Sequence, residues 1–268
     1  MRLLLLALAL ALPAVAEERP REEPIETPIL VPSPIPVGFL LAWKPALLSV
    51  RTDSGVGSRF GSDKFQPLRF LGRYTSTLFG EKLLARAEVE GGQFSTDTQQ
   101  RSPLDGTLIG SDGYDVTAHL LGGTATRIAQ GFTITASAGF ITRYQRGRAA
   151  SGAPSIGVFG VTSNMELEFR VAPIITLSLF VEGGLTPVPY GQQRDLGRLS
   201  DASEVRGRAI VSVDLTQQLA LEVGFDFTRW HASFTDSTIL SDGGPDRALL
   251  VESREHAFTF GLRFKPGQ

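Results

Sequence analysis

The sequence lacks several features that define common protein classes. It contains no cysteine in 268 residues, so neither a disulfide framework nor a lipidated cysteine is available. Its formal charge is −2, and this near balance argues against a nucleic-acid partner, which would need a basic surface. After the first residues, no apolar run approaches the length of a transmembrane helix. A membrane-inserted chain of this composition must therefore be a closed β-barrel.

Recognisable catalytic and metal-binding motifs are also missing. The sequence has no HExxH metalloprotease motif, no GxSxG elbow and no P-loop. The three histidines, His119, His231 and His256, are far apart and have no metal-ligand spacing. We therefore expect no metal and no cofactor.

The first 36 residues form two segments of distinct composition. Arg2, the apolar run Leu3–Leu12 and the small residues Ala14–Ala16 predict a secretory signal peptide over residues 1–16, with the mature chain beginning near Glu17. Residues 17–36 carry six prolines, which fix φ and remove hydrogen-bond donors. We interpret this segment as a Pro-rich periplasmic tether.

Residues 37–268 alternate between apolar and polar side chains with a period of two, which is typical of β-strands. In the clearest case, Leu219, Leu221 and Val223 oppose Glu222 and Gly224. Most of the stretches reach the roughly 9–11 residues of a tilted membrane strand. The ten predicted strands are Val37–Thr52, Gln66–Leu78, Lys82–Ser95, Tyr114–Ile128, Phe132–Arg146, Gly157–Val171, Ile174–Pro187, Ser203–Leu215, Leu219–Phe234 and Arg254–Phe264.

The predicted connections alternate between short turns and long polar loops. Phe79–Glu81 and Ala172–Pro173 are examples of the turns, and Asp53–Phe65 and Thr96–Gly113 are examples of the loops. Outer-membrane barrels have short periplasmic turns, long outside loops and an even number of strands. The sequence therefore predicts an all-β, up-and-down antiparallel transmembrane barrel of about ten strands, with both termini in the periplasm.

The polar face of the strands carries many charges between apolar neighbours. In hydrocarbon each would cost several kcal/mol, so we expect the charges to face a polar lumen and to form ion pairs. His119 shares this face. The predicted lumen charge network is Arg69, Arg73, Arg86, Glu88, Glu90, Asp115, Arg143, Glu166, Glu168, Arg170, Glu182, Arg206, Arg208, Glu222, Asp226 and Arg263.

Aromatic residues concentrate near the predicted strand ends, as in the two interfacial girdles of membrane barrels. Tyr114, Tyr144 and Trp230 lie toward the loop side. Residues on the turn side are Phe79, Phe132, Phe169 and Phe264.

The last predicted strand resembles the terminal strand of bacterial outer-membrane β-barrel proteins. In His256–Phe264, the residues Phe258, Phe260, Leu262 and Phe264 alternate with small or polar residues. In that class the terminal strand, with its aromatic close, is read by the barrel assembly machinery. The resemblance implies insertion into the outer membrane, with outer-membrane lipid and that machinery as partners. Four residues follow Phe264, whereas the class pattern ends at the aromatic residue.

Four functions are compatible with this pattern. The leading one is a structural or surface-binding barrel that acts through its long extracellular loops. A narrow pore for small solutes is the second, with gaps left by Gly92, Gly123, Gly139, Gly184 and Gly224. A rim protease is the third: ten strands resemble the omptin proteases, and the candidate residues are Asp115, His231 and Asp236, although their spacing does not match that family. The fourth is a secreted, water-soluble β-protein.

Overall fold

The computed structural model describes residues 37–54, 57–79, 83–95, 100–101, 108–109, 112–147, 155–191, 196–237 and 248–266. The predicted signal peptide and Pro-rich tether lie outside these residues. No helix in the described ranges is long and apolar enough to cross a membrane.

The described chain is built from antiparallel β-strands. Two of them, β6 and β7, form a separate two-stranded hairpin. In chain order the strands are β1 (Gly38–Trp43), β2 (Ala46–Ser54), β3 (Gly57–Gln66), β4 (Arg69–Leu78), β5 (Leu83–Ser95), β6 (Gln100–Arg101), β7 (Leu108–Ile109), β8 (Asp112–Ala129), β9 (Phe132–Arg146), β10 (Ile156–Ala172), β11 (Ile175–Pro189), β12 (Arg198–Asp214), β13 (Leu219–Thr235) and β14 (Leu249–Phe264).

The other twelve strands form one sheet that closes on itself. Its order is β1-β4-β5-β8-β9-β10-β11-β12-β13-β14-β2-β3, and β1 also pairs with β14. β2 continues β1 and β3 leads into β4, so the wall is ten strands around. Closure removes the free edges that an open sheet would expose. The predicted antiparallel barrel of about ten strands is confirmed.

The first two strands of the wall are interrupted at the same height, at Lys44–Pro45 and at Pro67–Leu68. Proline has no N–H to donate to a ladder, so pairing stops at these points. The side chain of Gln66 bridges the resulting seam between β3 and β5. Its Nε2 donates to the Ser95 carbonyl at 2.7 Å, and its Oε1 accepts from the Ser95 N–H at 3.0 Å.

Several strands reach further into the predicted loops than the alternation indicated. The predicted loop Asp53–Phe65 is wrong, because β3 begins at Gly57 and pairs with β2. Likewise β12 begins at Arg198 and β14 at Leu249. These added segments lie at the loop end of the barrel. In the added part of β12 the outward side chains Ser200 and Asp201 are polar, so the sequence signal of a membrane strand is absent there.

Through most of the wall the barrel is apolar outside and charged inside. On β13, Leu221, Val223 and Phe225 are 38–42% exposed, whereas Glu222 and Asp226 are 0% exposed. Successive side chains of a strand point to opposite faces, so this parity assigns the carboxylates to the lumen. The structure therefore has the predicted arrangement, with apolar side chains on the outer face and charged side chains in the lumen.

At the loop end the polarity of the same strand reverses. Beyond Thr228 on β13, Arg229 is exposed on the outer face, whereas Trp230 and Phe234 are buried on the inner face. The inward and outward parities continue without a shift, since β13 pairs with β14 residue by residue along its whole length. The inside-out character is therefore confined to a belt that ends near Thr228.

Aromatic contacts mark both borders of this belt. At the loop end the rings of Tyr114 and Tyr144 lie 6.0 Å apart, and at the turn end those of Phe132 and Phe169 stack at 4.6 Å. The prediction that Trp230 belongs to the loop-side girdle is wrong. Its even position on β13 directs it inward, on the same face as Asp226.

A charge in the middle of the belt should destabilise the barrel far more than one beyond its border. We expect Val223→Arg to cost about 2–4 kcal/mol, because Val223 faces hydrocarbon at the centre of the belt, and Ser233→Arg on the same face of β13 to cost about 0–1 kcal/mol. Urea unfolding of both variants in phospholipid vesicles would measure this difference. Equal losses of unfolding free energy at the two positions would contradict the assigned belt.

Candidate functional site

The inward charges meet in an ion-paired layer at the centre of the barrel. Arg206 lies in the middle of this layer, with Nη1 2.5 Å from Glu88 Oε1 and Nη2 2.6 Å from Glu90 Oε2. Arg208, two residues along β12, contacts Asp226 and places Nη2 3.2 Å from Glu88 Oε1. All five side chains are buried. Strands β5, β12 and β13 are thereby joined through the lumen as well as around the wall.

A second group of pairs lies on the β1–β4 side of the layer. Arg69 binds both carboxylate oxygens of Asp115, at 2.5 and 2.9 Å, and also lies 2.8 Å from Glu255. Lys44 Nζ lies 2.8 Å from Glu90 and 2.9 Å from Glu255. In buried pairs of this kind, the attraction between the two ions offsets the free energy that each loses when it is removed from water.

Further inward pairs extend the layer around the lumen. These are Arg86 with Glu166 at 2.5 Å, Arg73 with Glu88 at 3.2 Å, His119 Nδ1 with Glu182 Oε1 at 2.7 Å, Arg143 with Glu204 at 3.0 Å, and Arg263 with Glu222.

Two residues of the predicted network are placed differently. Arg170 is exposed, and its Nε donates to the Pro173 carbonyl at 3.1 Å in the turn between β10 and β11. Glu168 is only half-buried. Both lie where β10 approaches its turn, and the inner face of the wall is open to water there. An inward position on the strand therefore no longer implies that the side chain is buried.

Three members of the layer are absent from the sequence prediction: Lys44, Glu204 and Glu255. Glu204 shares the parity of Arg206 on β12, and Glu255 shares that of Arg263 on β14, so strict counting of alternation identifies both. Lys44 shares the parity of the buried Leu40 and Ala42, but residues 40–43 are apolar on both faces, so the sequence gives no contrast that would place it.

Above the charged layer, apolar side chains fill the loop end of the lumen. We call this cluster the lumen plug; its members are 0–1% exposed. Arg143 joins the two layers, since its guanidinium lies 5.2 Å from the ring centroid of Trp230. The plug consists of Ile156, Val158, Leu196, Ala202, Trp230, Ala232, Phe234, Leu249 and Val251.

The structure does not bring the three candidate catalytic residues together. Asp115 is buried in the lumen and bound by Arg69. Asp236 is exposed at the end of β13, with a positive φ of 58°. His231 lies on the outer face of β13. Among the residues that the structure describes, no cluster of three His, Asp or Glu side chains is arranged to hold a metal ion.

His231 instead has two partners on the neighbouring strand β12. Its Nδ1 lies 3.2 Å from Ser203 Oγ, and its Nε2 lies 3.2 Å from Asp201 Oδ2. Ser203 is directly opposite His231 in the ladder, and Asp201 is two residues further along on the same face. Neither partner could be identified from the sequence, because the pairing of β12 with β13 sets which residues meet.

A charged cluster lies next to His231 on the outer face. Glu252 on β14 accepts from Arg229 Nε at 2.6 Å and from Arg254 Nε at 3.0 Å. All three lie beyond the apolar belt. Burial acts to raise the pKa of Glu252, but the hydrogen bonds from Arg254 and Arg229 outweigh it and hold that pKa below its usual range. Glu252 is therefore ionised at neutral pH, and the cluster carries one net positive charge.

A groove of about 880 Å³ lies in the wall beside the β3–β5 seam. Pro67, Leu68 and Tyr114 contribute its exposed apolar side chains, and Arg146 lies at its loop end. The Gln66 bridge lines the groove and keeps the wall closed behind it.

Comparison with known proteins gives similarity in fold alone. No protein-family model matches the sequence, and no curated protein matches it. The outer-membrane protease OmpT of Escherichia coli is 12% identical, with a TM-score of 0.47 over 85% of this chain and 96% of that one. The translocator domain of the autotransporter NalP of Neisseria meningitidis is 7% identical, with a TM-score of 0.42 over 82% and 88%. OprG of Pseudomonas aeruginosa is 8% identical, with a TM-score of 0.35 over 87% and 97%.

These similar structures are bacterial outer-membrane β-barrels. At these identities they say nothing about which residues act. The geometry of this chain alone assigns a transmembrane barrel with a charged centre, a lumen plug and a polar outer rim.

Removing the central arginine should destabilise the barrel strongly. Arg206→Ala leaves Glu88 and Glu90 short of their partner in a buried layer, and such a loss costs about 3–5 kcal/mol. Arg170→Ala is the matched control, because that exposed side chain contributes at most about 1 kcal/mol. Chemical unfolding in detergent would measure both, and similar midpoints for the two variants would contradict an ion-paired centre.

Proposed function

We propose that this chain is an integral outer-membrane barrel with a sealed lumen, acting through its loop end. The observation that carries the proposal is the reversal of polarity along single strands. On β13 the apolar outward run from Leu219 to Phe227 spans nine residues, close to the roughly 9–11 that a tilted strand needs to cross a bilayer.

The apolar belt supports membrane insertion over a water-soluble form. Soluble monomers rarely expose contiguous apolar patches above a few hundred Å². Large apolar side chains are exposed around the whole wall, including Leu120, Val181 and Phe258 at 59–61%. Beyond the belt the barrel has the polarity of a soluble protein, which supports a position in water above the outer leaflet.

The filled lumen supports a sealed barrel over a pore. A conducting lumen needs water-accessible walls, but Arg206, Glu222, Asp226 and Trp230 are 0–1% exposed. Four of the five glycines that the pore hypothesis named, Gly92, Gly123, Gly139 and Gly224, lie tightly against the neighbouring strand, whereas Gly184 has room for a Cβ. A Cβ on Gly123 or Gly139 would collide with the backbone of the adjacent strand, so these positions serve close packing of the wall.

The rim-protease alternative receives no support from the candidate residues, since Asp115 is held by Arg69 inside the lumen. We propose that export uses the predicted signal peptide over residues 1–16. We also propose that the barrel assembly machinery reads β14. This strand both closes the ring against β1 and ends at Phe264.

Conductance in planar bilayers tests the sealed lumen. The full chain is first recovered from the outer-membrane fraction, and a heat-dependent shift on a gel shows that the barrel is folded. We expect no steady single-channel current from the folded protein, because the charged layer and the lumen plug both block the axis. Stable open-channel currents would contradict the sealed barrel, and recovery in the aqueous fraction without detergent would contradict membrane insertion.

A further inference from the structure

A serine, a histidine and an aspartate form a hydrogen-bonded chain on the outer face of the wall. Ser203 Oγ lies 3.2 Å from His231 Nδ1, and His231 Nε2 lies 3.2 Å from Asp201 Oδ2. One tautomer satisfies both contacts: Nε2–H donates to the carboxylate, and Nδ1 accepts from the hydroxyl. A nucleophile, a base and a group that orients the base are recognised by these roles rather than by their sequence order.

The chain of three lies at the border of the apolar belt. On β12 the next outward residue toward the bilayer is Val205, and on β11 Leu185 is paired with Ser203. Both are strongly exposed on the lipid-facing side, at 53% and 59%. Asp201, by contrast, is exposed on the polar side of the border. Ser203 is therefore placed where the acyl chains of a lipid end and its headgroup begins.

Two arginines flank this position on the same face. Arg229 pairs with Val205 and is thus diagonal to Ser203, within reach of a long side chain. Arg254 is the cross-strand partner of Arg229 on β14, and the two share Glu252. The guanidinium of Arg229 lies at Glu252, on the β14 side of β13, and the pair attracts an anionic headgroup such as a phosphate there.

We propose that Ser203, His231 and Asp201 form a hydrolytic site for acyl esters of a phosphorylated lipid in the outer leaflet. In this role Ser203 is the nucleophile, His231 is the general base and Asp201 is the positioning residue. The proposal rests on the membrane position of the barrel and adds an activity to its loop end.

The reaction balances with water as the only co-reactant. Ser203 Oγ forms a bond to the ester carbonyl carbon while His231 Nδ1 takes the hydroxyl proton. The carbonyl electron pair moves to oxygen and returns as the ester C–O bond breaks, and the leaving alcohol takes the proton from His231. Water then attacks the acyl-serine, again giving its proton to His231, and the fatty acid leaves as Ser203 recovers its hydrogen.

Covalent capture tests the nucleophile directly. Full-length protein in detergent, with folding verified by its gel shift, is treated with a fluorophosphonate probe, and the modified residue is located by peptide mass spectrometry. We expect labelling at Ser203, its loss in Ser203→Ala, and a rate at least about 100-fold lower in His231→Ala. The controls are Ser49→Ala and His256→Ala, outward residues on β2 and β14, and both should label like the wild type.

Hydrolysis is measured on two lipids that share the chemistry, phosphatidylethanolamine in mixed micelles and lipopolysaccharide. Release of fatty acid from either, lost in Ser203→Ala, supports the proposal and identifies the source of the ester. Absence of both labelling and fatty-acid release in folded wild-type protein overturns it. Labelling that persists unchanged in His231→Ala also overturns it. A protein that fails the gel-shift step contradicts the membrane barrel instead, so the two failures are distinguishable.

Discussion

The pairing of buried charges inside a closed ring of strands is the constraint on which the rest of this structure depends. Within the belt the outer face meets hydrocarbon, so the charged side chains point inward and find partners there. Arg206 meets that requirement for Glu88 and Glu90, which lie on β5, across the lumen from its own strand. The network therefore specifies which strands face one another, and it leaves little room for solvent along the axis.

The reversal of polarity beyond Thr228 shows that the same strands are adapted to lipid over one part of their length and to water over the next. Below the border the charged side chains lie on the inner face because the outer face must be apolar. Above it, water on the outside makes an apolar interior favourable, and the lumen plug supplies it. The two layers are coupled through Arg143, which binds Glu204 and also lies over the ring of Trp230, the cross-strand partner of Glu204. The function that we propose for this barrel therefore belongs to its rim rather than to its axis.

At that rim, the border itself creates an unusual chemical setting. Ser203 on β12 and Arg229 on β13 are the first polar outward residues beyond the apolar run of their strands, and His231 follows Arg229 on the same face, so this polar group lies within reach of acyl chains. The neighbouring arginines have the same origin, since their charges are tolerated only beyond the belt. The proposed site for phosphorylated lipid esters is thus argued from the position of the border rather than from any motif.

The sequence by itself determined the strand class, the approximate strand number and the sidedness of the belt. Alternation with a period of two assigns Glu222 and Leu221 to opposite faces, whatever the partners of β13 are. It did not indicate β3, the lumen plug or the inward position of Trp230. Beyond the bilayer the inner face of the wall becomes apolar and the outer face polar, so the difference in hydropathy between the two faces no longer follows the membrane pattern. Only the tertiary structure decided which charges pair and that His231 meets Ser203 and Asp201. Those contacts depend on strand register and ring closure, which join residues that are distant in the chain.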